Sequence, residues 1–408
     1  MAQCLVMAPL SSLHLNGADS LADIFSQLFV VRLPGASAPG FLFIALRNLP
    51  PYNTQLIFVH ECCDMFHSRP LAFHCLLLTL LVGSLCLSLS LGSMTVELNQ
   101  LIDVVFGRLR GEVVTGTADM VVWQIRMPRV CLSLLVGACL AVSGAMVQGL
   151  FRNPLADPSL IGVSGGAAVG AAFAIVLGGT WGWFAPSWNL PLFAFIGGAL
   201  VTALVYRLGV GALGTSVATM LLAGVAINAM TSACISYLAT TAEDVRLRNL
   251  VYWLMGSFNV ASWEKVSWVA PFALLSLAMI PVLWKGLNAL LLGESEARHL
   301  GIRVERLRLW VIVLAALAVG VSVASVGVIG FVGLVVPHIV RLMLGPDHRW
   351  LLSGSALLGA TLLSLADLAA RLVVEPQELP VGVLTAALGA PFFLFLVVQR
   401  RRGQMYGV

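Results

Sequence analysis

The chain has 408 residues, of which 59% are hydrophobic and only 10% are charged, and its net charge is +4. A soluble domain carries about a quarter charged residues, so this composition excludes an ordinary water-soluble protein and predicts a polytopic membrane protein. The small positive charge gives no reason to expect nucleic acid as a partner, because the basic residues lie at the ends of apolar runs.

Residues 1–64 differ from the rest of the chain, because Pro, Asn, Ser and Gly are scattered among short apolar patches. None of these patches reaches the roughly 18–20 residues that a transmembrane helix requires, and no basic start precedes a single apolar core, as it would in a signal peptide. We expect residues 1–64 to lie outside the fold, either as a disordered extension or as the product of an upstream start codon.

Long apolar segments follow one another from residue 71 onward and predict an all-α polytopic membrane protein with ten transmembrane helices. The spans are expected near residues 71–91, 128–149, 161–180, 190–209, 216–239, 267–286, 309–326, 330–344, 350–373 and 379–399. The eighth is short and rich in glycine. Lys and Arg favour the loops on the side of Arg69 and of the Arg400–Arg402 triplet, which by the positive-inside rule places both termini in the cytoplasm.

A break between the second and third spans is formed by residues 152–158. Its two prolines, Pro154 and Pro158, prevent the helix from continuing, and Asp157 stands where it can cap the next helix. We interpret this loop, which includes Asn153, as a structural break that sets the angle between two helices. We favour this interpretation over direct contact with a substrate. The glycines that follow it predict a face for close helix packing.

Three arginines lie at the outer ends of predicted spans, where ionisable groups are costly and frequently functional. Arg126 and Arg129 have no acidic residue nearby in sequence, which indicates that they are available to an outside partner. Arg371 follows Asp367 by four residues, so this acid can neutralise it within one helical turn. A basic mouth of this kind fits an acidic docking surface.

The densest run of charge lies at residues 293–308, in a loop on the cytoplasmic side. Glu294 and Arg298 have the four-residue spacing of an ion pair on a helix, and Gly301 suits a left-handed C-cap. The pattern predicts a short helix from Glu294 to Leu300. It is compatible both with a solvated loop and with a helix that contacts a soluble partner.

The sequence contains no phosphate-binding loop, no haem-attachment motif and no metalloprotease pair, and the cysteines and histidines near residue 62 match no zinc spacing. We therefore expect no catalytic residue, no metal site and no cofactor, and no ATP hydrolysis by this chain. Two rival classes are a proton-coupled secondary transporter and an intramembrane enzyme. The first needs ionisable groups near the midplane, for which Asp367 is the one candidate, and the second needs paired catalytic residues.

From about residue 70 to the end, the sequence resembles the permease subunits of ABC importers for iron chelates and vitamin B12. The resemblance is carried, in order, by IRMPR (125–129), QGLFRNPLADP (148–158), LAGVAIN (222–228), GFVGLVVPHIVR (330–341), ELPVGVLTA (378–386) and GAPFF (389–393). Residues 1–64 have no counterpart in that pattern. The sequence at residues 148–154, 222–229 and 345–350 is most similar to that of the haem permeases of this family.

The resemblance implies a ten-helix permease domain over residues 65–408 that dimerises with a second copy in the bacterial inner membrane. A cytosolic ATPase dimer would drive it, and a periplasmic substrate-binding protein would deliver haem, or alternatively a ferric siderophore or cobalamin. The residues implied in docking of the binding protein are Arg126, Arg129 and Arg371. Those implied in coupling to the ATPase are Glu294, Glu296, Ala297, Arg298, Leu300 and Gly301.

Overall fold

The computed structural model describes residues 69–92, 96–110, 116–178, 189–211, 214–374 and 377–405. The expectation for residues 1–64 lies outside this part of the chain and stays a prediction. The described residues are predominantly α-helical, and they include a small antiparallel hairpin in which Val210–Gly211 (β1) pairs with Gly214–Thr215 (β2).

The helices follow one another with few long connections. In chain order they are α1 (Pro70–Ser90), α2 (Leu98–Leu109), α3 (Thr117–Phe151), α4 (Val163–Leu177), α5 (Asn189–Gly209), α6 (Val217–Thr241), α7 (Asp244–Leu254), α8 (Trp263–Ala278), α9 (Ile280–Leu292), α10 (Glu294–His299), α11 (Val304–Val326), α12 (Val332–Leu344), α13 (His348–Leu372) and α14 (Val381–Met405). Helix α3 contains a π-helical stretch at Met120–Arg126, and a 3₁₀ turn at Pro158–Ile161 precedes α4.

Six helices within the described residues are long and apolar enough to cross a membrane, namely α1, α3, α5, α6, α11 and α13. Helices α8 and α9 qualify together as a bent seventh span, and α4, α12 and Val381–Phe395 of α14 are shorter apolar helices. The predicted class of all-α polytopic membrane protein is confirmed. The ten crossings and the cytoplasmic side of both termini stay predictions.

The sixth predicted span, residues 267–286, is divided into two helices that meet at an angle of 49°. Helix α8 ends at Ala278, and Pro281 occupies the first turn of α9. Because proline has no amide hydrogen and its ring clashes with the preceding turn, Pro281 favours a kink at this position. The apolar pattern alone shows no such break.

Helix α3 is the centre of the bundle, and most of its apolar part is buried. Where it crosses α13, a Cβ added to Gly137 would collide with the carbonyl oxygen of Gly359. The same close approach joins α4 and α5 at Gly166 and Gly197. These backbones pack at distances that only glycine permits, as expected for helices associating in lipid.

Candidate functional site

The short helix predicted in the charged loop is present as α10, Glu294–His299, with Leu300 as its C-cap. Gly301 adopts a φ of 82°, a left-handed conformation in which glycine carries no Cβ penalty. The amide of Ile302 donates to the carbonyl oxygen of Ala297 at 3.0 Å, and that of Gly301 donates to Arg298 at 2.9 Å. This pair of hydrogen bonds is a Schellman motif, so the predicted C-terminal glycine cap is confirmed.

Helix α10 is held to the bundle by few contacts. Ala297 is fully buried, whereas Glu296 and Arg298 are exposed, and Leu300 is 63% exposed. Gly293 precedes the helix with a φ of 128°. The helix therefore presents most of its surface outward and is separated from α9 and α11 by a glycine on each side.

The main ionic partner of Glu294 differs from the one that the sequence predicts. Arg298 lies 3.9 Å from the carboxylate of Glu294, whereas Nη2 of Arg308 donates to Oε1 of Glu294 at 2.7 Å. Nη1 of Arg308 also donates to Oε1 of Glu305 at 3.0 Å and to the carbonyl oxygen of Thr215 at 2.9 Å. Local spacing could not identify this contact between Glu294 and Arg308, because the two residues lie on different helices.

A second polar junction connects α9 to the start of α13. Nδ2 of Asn288 donates to Oδ1 of Asp347 at 2.7 Å, and the amide of His348 donates to Oδ1 of Asn288 at 2.9 Å. Asp347 also accepts a hydrogen bond from the amide of Arg349 and so caps α13. The sequence analysis did not single out Asn288, since an isolated asparagine at the end of an apolar helix is a weak signal.

The loop at residues 152–158 separates α3 from α4 and begins a 3₁₀ turn. Oδ1 of Asp157 accepts from the amide of Ser159 at 2.8 Å and caps the 3₁₀ turn that starts at Pro158. Oδ1 of Asn153 accepts from the amide of Leu155 at 3.0 Å, which closes the turn around Pro154. The cap predicted for Asp157 is confirmed.

The three arginines implied in docking are buried, with exposed fractions of 4% for Arg126, 7% for Arg129 and 8% for Arg371. Nε and Nη2 of Arg129 both donate to the carboxylate of Asp367 at 2.8–3.0 Å, and Nη1 donates to Oε2 of Glu378 at 2.8 Å. Arg129 has no acidic residue nearby in sequence, but the fold brings α13 against α3, so the availability of Arg129 inferred from the sequence is not what the structure shows.

The other two of these arginines also form contacts within the chain. Arg126 donates to the carbonyl oxygens of Leu89 and Ser90 at 2.6 and 3.0 Å, so its predicted availability to an outside partner is not what the structure shows. Nε of Arg371 lies 3.4 Å from Oδ2 of Asp367. The predicted neutralisation of Arg371 is confirmed, but Arg371 shares this carboxylate with Arg129.

A polytopic α-helical membrane protein with a capped, outward-facing helix in one of its loops is the class that these observations define. Residues 79–399 match the model of the FecCD transport family, and the chain belongs to this family of ABC-importer permeases.

Curated relatives and a solved structure agree with this assignment. The chain is 43% identical over 294 residues to the hemin transport system permease protein HmuU of Yersinia pestis, covering 70% of this chain and 86% of that protein. It is 46% identical over 298 residues to the vitamin B12 import system permease protein BtuC of Escherichia coli O9:H4 (strain HS), covering 72% and 88%. A metal-chelate type ABC transporter solved in an inward-facing conformation is 35% identical, with a TM-score of 0.70 and coverage of 79% of this chain and 97% of that chain.

Proposed function

We propose that this chain is the permease subunit of a binding-protein-dependent ABC importer that carries haem across the bacterial inner membrane. It works as a homodimer with ten crossings per copy, both termini are cytoplasmic, and ATP is hydrolysed by a separate ATPase dimer. The observation that carries the proposal is α10, a helix bounded by Gly293 and Gly301 whose side chains mostly face outward. A helix with this exposure is suited to contact a soluble protein.

The proposed mechanism is alternating access driven from the cytoplasmic side. Closure of the ATPase dimer on ATP displaces α10 through Glu296, Arg298 and Leu300, and the bundle changes the side on which its pathway is open. Nucleotide and binding protein shift this equilibrium only to the extent that each binds the two conformations with different affinity. Arg303 and Arg306 are exposed beside α10, which supports a cytoplasmic location by the positive-inside rule.

Docking of the binding protein is proposed at the outer cluster of Arg126, Arg129 and Arg371. Within this cluster the side chain of Asp367 is 1% exposed, whereas that of Glu378 is 34% exposed. A carboxylate on the binding protein can therefore reach Arg129 by taking the place of Glu378, while Asp367 remains bound. Docking in this form is an exchange of one carboxylate for another.

Haem is the proposed substrate because we read the runs at residues 148–154, 222–229 and 345–350 as most similar to those of haem permeases. Cobalamin is the second candidate, because the vitamin B12 relative matches this chain at 46% identity, close to the 43% of the hemin relative. A ferric siderophore is the third. A proton-coupled secondary transporter is disfavoured, because its one candidate carboxylate, Asp367, is held by two arginines.

The test is ATP-driven uptake into liposomes that contain the full-length permease with its own ATPase and binding protein. Haem, cobalamin and a ferric siderophore are compared in parallel, with ATP replaced by a non-hydrolysable analogue as the control. Uptake of haem that needs ATP hydrolysis supports the proposal. Uptake of cobalamin or siderophore alone would show that this compound, and not haem, is the substrate. Uptake that follows a proton gradient without ATP overturns the importer mechanism.

A further inference from the structure

Arg308 is a buried cation at the cytoplasmic end of α11, and the proposed mechanism does not yet use it. Its side chain is 1% exposed, yet its two acidic partners, Glu294 and Glu305, are 35% and 45% exposed. The network is closed by Thr215, whose hydroxyl donates to Oε2 of Glu305 at 2.8 Å and whose carbonyl oxygen accepts from Arg308. One guanidinium thus contacts α10, the first turn of α11 and the β1–β2 hairpin.

The chemistry of these contacts requires an arginine. A guanidinium offers five donors in a rigid plane, so it can hold a carboxylate on one nitrogen while another donates to a second carboxylate and a carbonyl oxygen. A lysine ammonium is a compact point charge without this fixed fork. Because the guanidinium of Arg308 is buried, removal of Glu294 or Glu305 would leave part of its charge without compensation.

The segments that Arg308 joins are short and have few other contacts in the part of the chain that the structure describes. Helix α10 has a single fully buried residue, Ala297, between two glycines, and the hairpin has strands of two residues each. The hairpin continues directly into α6, whose N-cap is Ser216. The positions of α10 and of the start of α6 therefore both depend on the same buried side chain.

Helix α11, Val304–Val326, carries Arg308 in its second turn and extends to the opposite end of the bundle. Its 23 residues correspond to about 35 Å at 1.5 Å per residue. At its far end the carbonyl oxygen of Val326 accepts from the amide of Ser257 at 2.8 Å, and that of Ser325 accepts from Nζ of Lys265 at 3.2 Å. A displacement at Arg308 is thus connected to Ser257, between α7 and α8, and to Lys265 in the first turn of α8 by a continuous, largely buried helix.

We infer that Arg308 is a positioning residue that makes α10, the start of α11 and the β1–β2 hairpin move as one unit when a partner displaces α10. The inference rests on the proposed function in one respect, the identity of that partner as the ATPase. The mechanical connection itself is a property of this chain and can be measured without transport.

The first experiment measures amide hydrogen exchange on the full-length permease in lipid nanodiscs. Arg308→Gln is expected to speed exchange at least tenfold in peptides that cover both 210–216 and 293–303. Arg306→Gln, an exposed arginine two positions earlier on the same helix, is the matched control and is expected to leave both segments within twofold. Acceleration in only one of the two segments with Arg308→Gln would overturn the inference.

Two milder variants keep the inference testable if Arg308→Gln fails to fold. Glu294→Gln removes the α10 contact alone and is expected to speed exchange in 293–303 but not in 210–216. Thr215→Val removes the hydroxyl that binds Glu305 and is expected to act on 210–216 but not on 293–303. If neither variant alters its own segment, the network does not hold these elements and the inference is wrong.

The second experiment separates coupling from stability in the reconstituted importer. With Arg308→Gln, uptake per ATP hydrolysed is expected to fall at least tenfold, while the basal ATPase rate stays within twofold of the parent protein. Arg308→Lys is expected to recover less than a third of the loss, because lysine lacks the fork.

An unchanged uptake-to-ATP ratio contradicts the inference. Absence of uptake by the parent protein contradicts the proposed function, while hydrogen exchange still tests Arg308.

Discussion

Two buried arginines, one at each end of the bundle, use the same chemistry for different purposes. On α3, Arg129 binds Asp367 of α13, whose side chain is 1% exposed. On α11, Arg308 binds Glu294 and Glu305, which are 35% and 45% exposed. The Arg129 pair joins two long helices that pack along their length, and the Arg308 cluster joins a helix of six residues and a hairpin to the bundle.

The difference shows that the burial of the acid, more than that of the arginine, determines whether an ion pair is fixed or can exchange its partner. A buried acid on a packed helix can neither leave nor be replaced, so the pair of Arg129 and Asp367 fixes the angle of α13 against α3. A partly exposed acid can exchange partners or move with its segment. Glu378 belongs to this second kind although it binds the same arginine as the buried Asp367.

The largest effect is expected from Asp367→Asn, which leaves Arg129 and Arg371 facing a neutral amide. Breaking a buried ion pair costs about 3–5 kcal/mol because a buried charge loses its partner. We expect a clear drop in the thermal-inactivation temperature of the purified permease and loss of monodisperse protein. Glu378→Gln, at the partly exposed acid of the same cluster, is the matched control and is expected to lower stability by about 0.2–1 kcal/mol. Equal stability losses in the two variants would remove the distinction between the two acids.

The same cluster changes how the docking proposal is tested. Charge reversal at Arg126 and Arg129 is expected from the sequence to weaken docking without unfolding. In the structure a glutamate at position 129 would face Asp367, so this variant would be destabilised for a reason unrelated to docking.

Gly301→Ala is expected to have an intermediate effect. A Cβ at this position meets no atom within 4 Å, so the backbone φ of 82° is the source of any cost. A left-handed conformation costs an L-residue roughly 1–2 kcal/mol, which should loosen the C-terminal end of α10 and reduce ATP-driven uptake by several-fold. Gly83→Ala in α1, which also has open space but lies in a regular helix, is the control. Loss of uptake in both variants would point to a general effect of alanine.

Glu378→Gln is expected to have a smaller effect, in the opposite direction, on docking. Because the amide competes less well than a carboxylate for Arg129, the binding protein should bind about twofold to fivefold more tightly, an effect of roughly 0.4–1 kcal/mol. Binding assays on the permease immobilised in nanodiscs would measure the affinity of the binding protein. The gain should shrink at high salt, because the contact is electrostatic. Weaker or unchanged docking would show that Glu378 does not occupy the place of a partner carboxylate.

The smallest effect on stability is expected from Arg298→Gln. Its distance to Glu294 is 3.9 Å and its side chain is 60% exposed, and exposed ion pairs of this kind contribute about 0–1 kcal/mol. Arg308→Gln removes the hydrogen bonds of a buried guanidinium but leaves two acids that are partly exposed, so it should destabilise the permease by about 1–3 kcal/mol in the same thermal assay. A larger loss with Arg298→Gln than with Arg308→Gln would restore the sequence-predicted pair as the main contact of Glu294.

The parts of the molecule that could be predicted from sequence are those determined by local chemistry. Gly301 signals a left-handed cap, Asp157 signals a helix start before Pro158, and Asp367 with Arg371 signals a pair within one turn. Each of these depends on residues no more than four positions apart, and each is present.

The parts that could not be predicted depend on which helices the fold brings together. Arg129 and Asp367 are 238 positions apart, so their contact depends on the packing of α3 against α13. In the sequence, Arg308 is one of several charges in a basic loop. Its burial depends on contacts with the hairpin and with α10, which the sequence alone does not show. Long-range pairs of this kind leave no spacing signal in a single sequence.

The glycines on either side of α10 have a consequence for the engineering of this chain. Since Ala297 and Glu294 supply its principal attachments, Ser295, Glu296, Arg298 and His299 are exposed or solvent-facing and do not take part in helix packing. A cassette exchange of these four positions with those of another family member should therefore preserve the bundle. Under the proposed contact between α10 and the ATPase, such an exchange would change the surface offered to the partner without changing the packing of the helices.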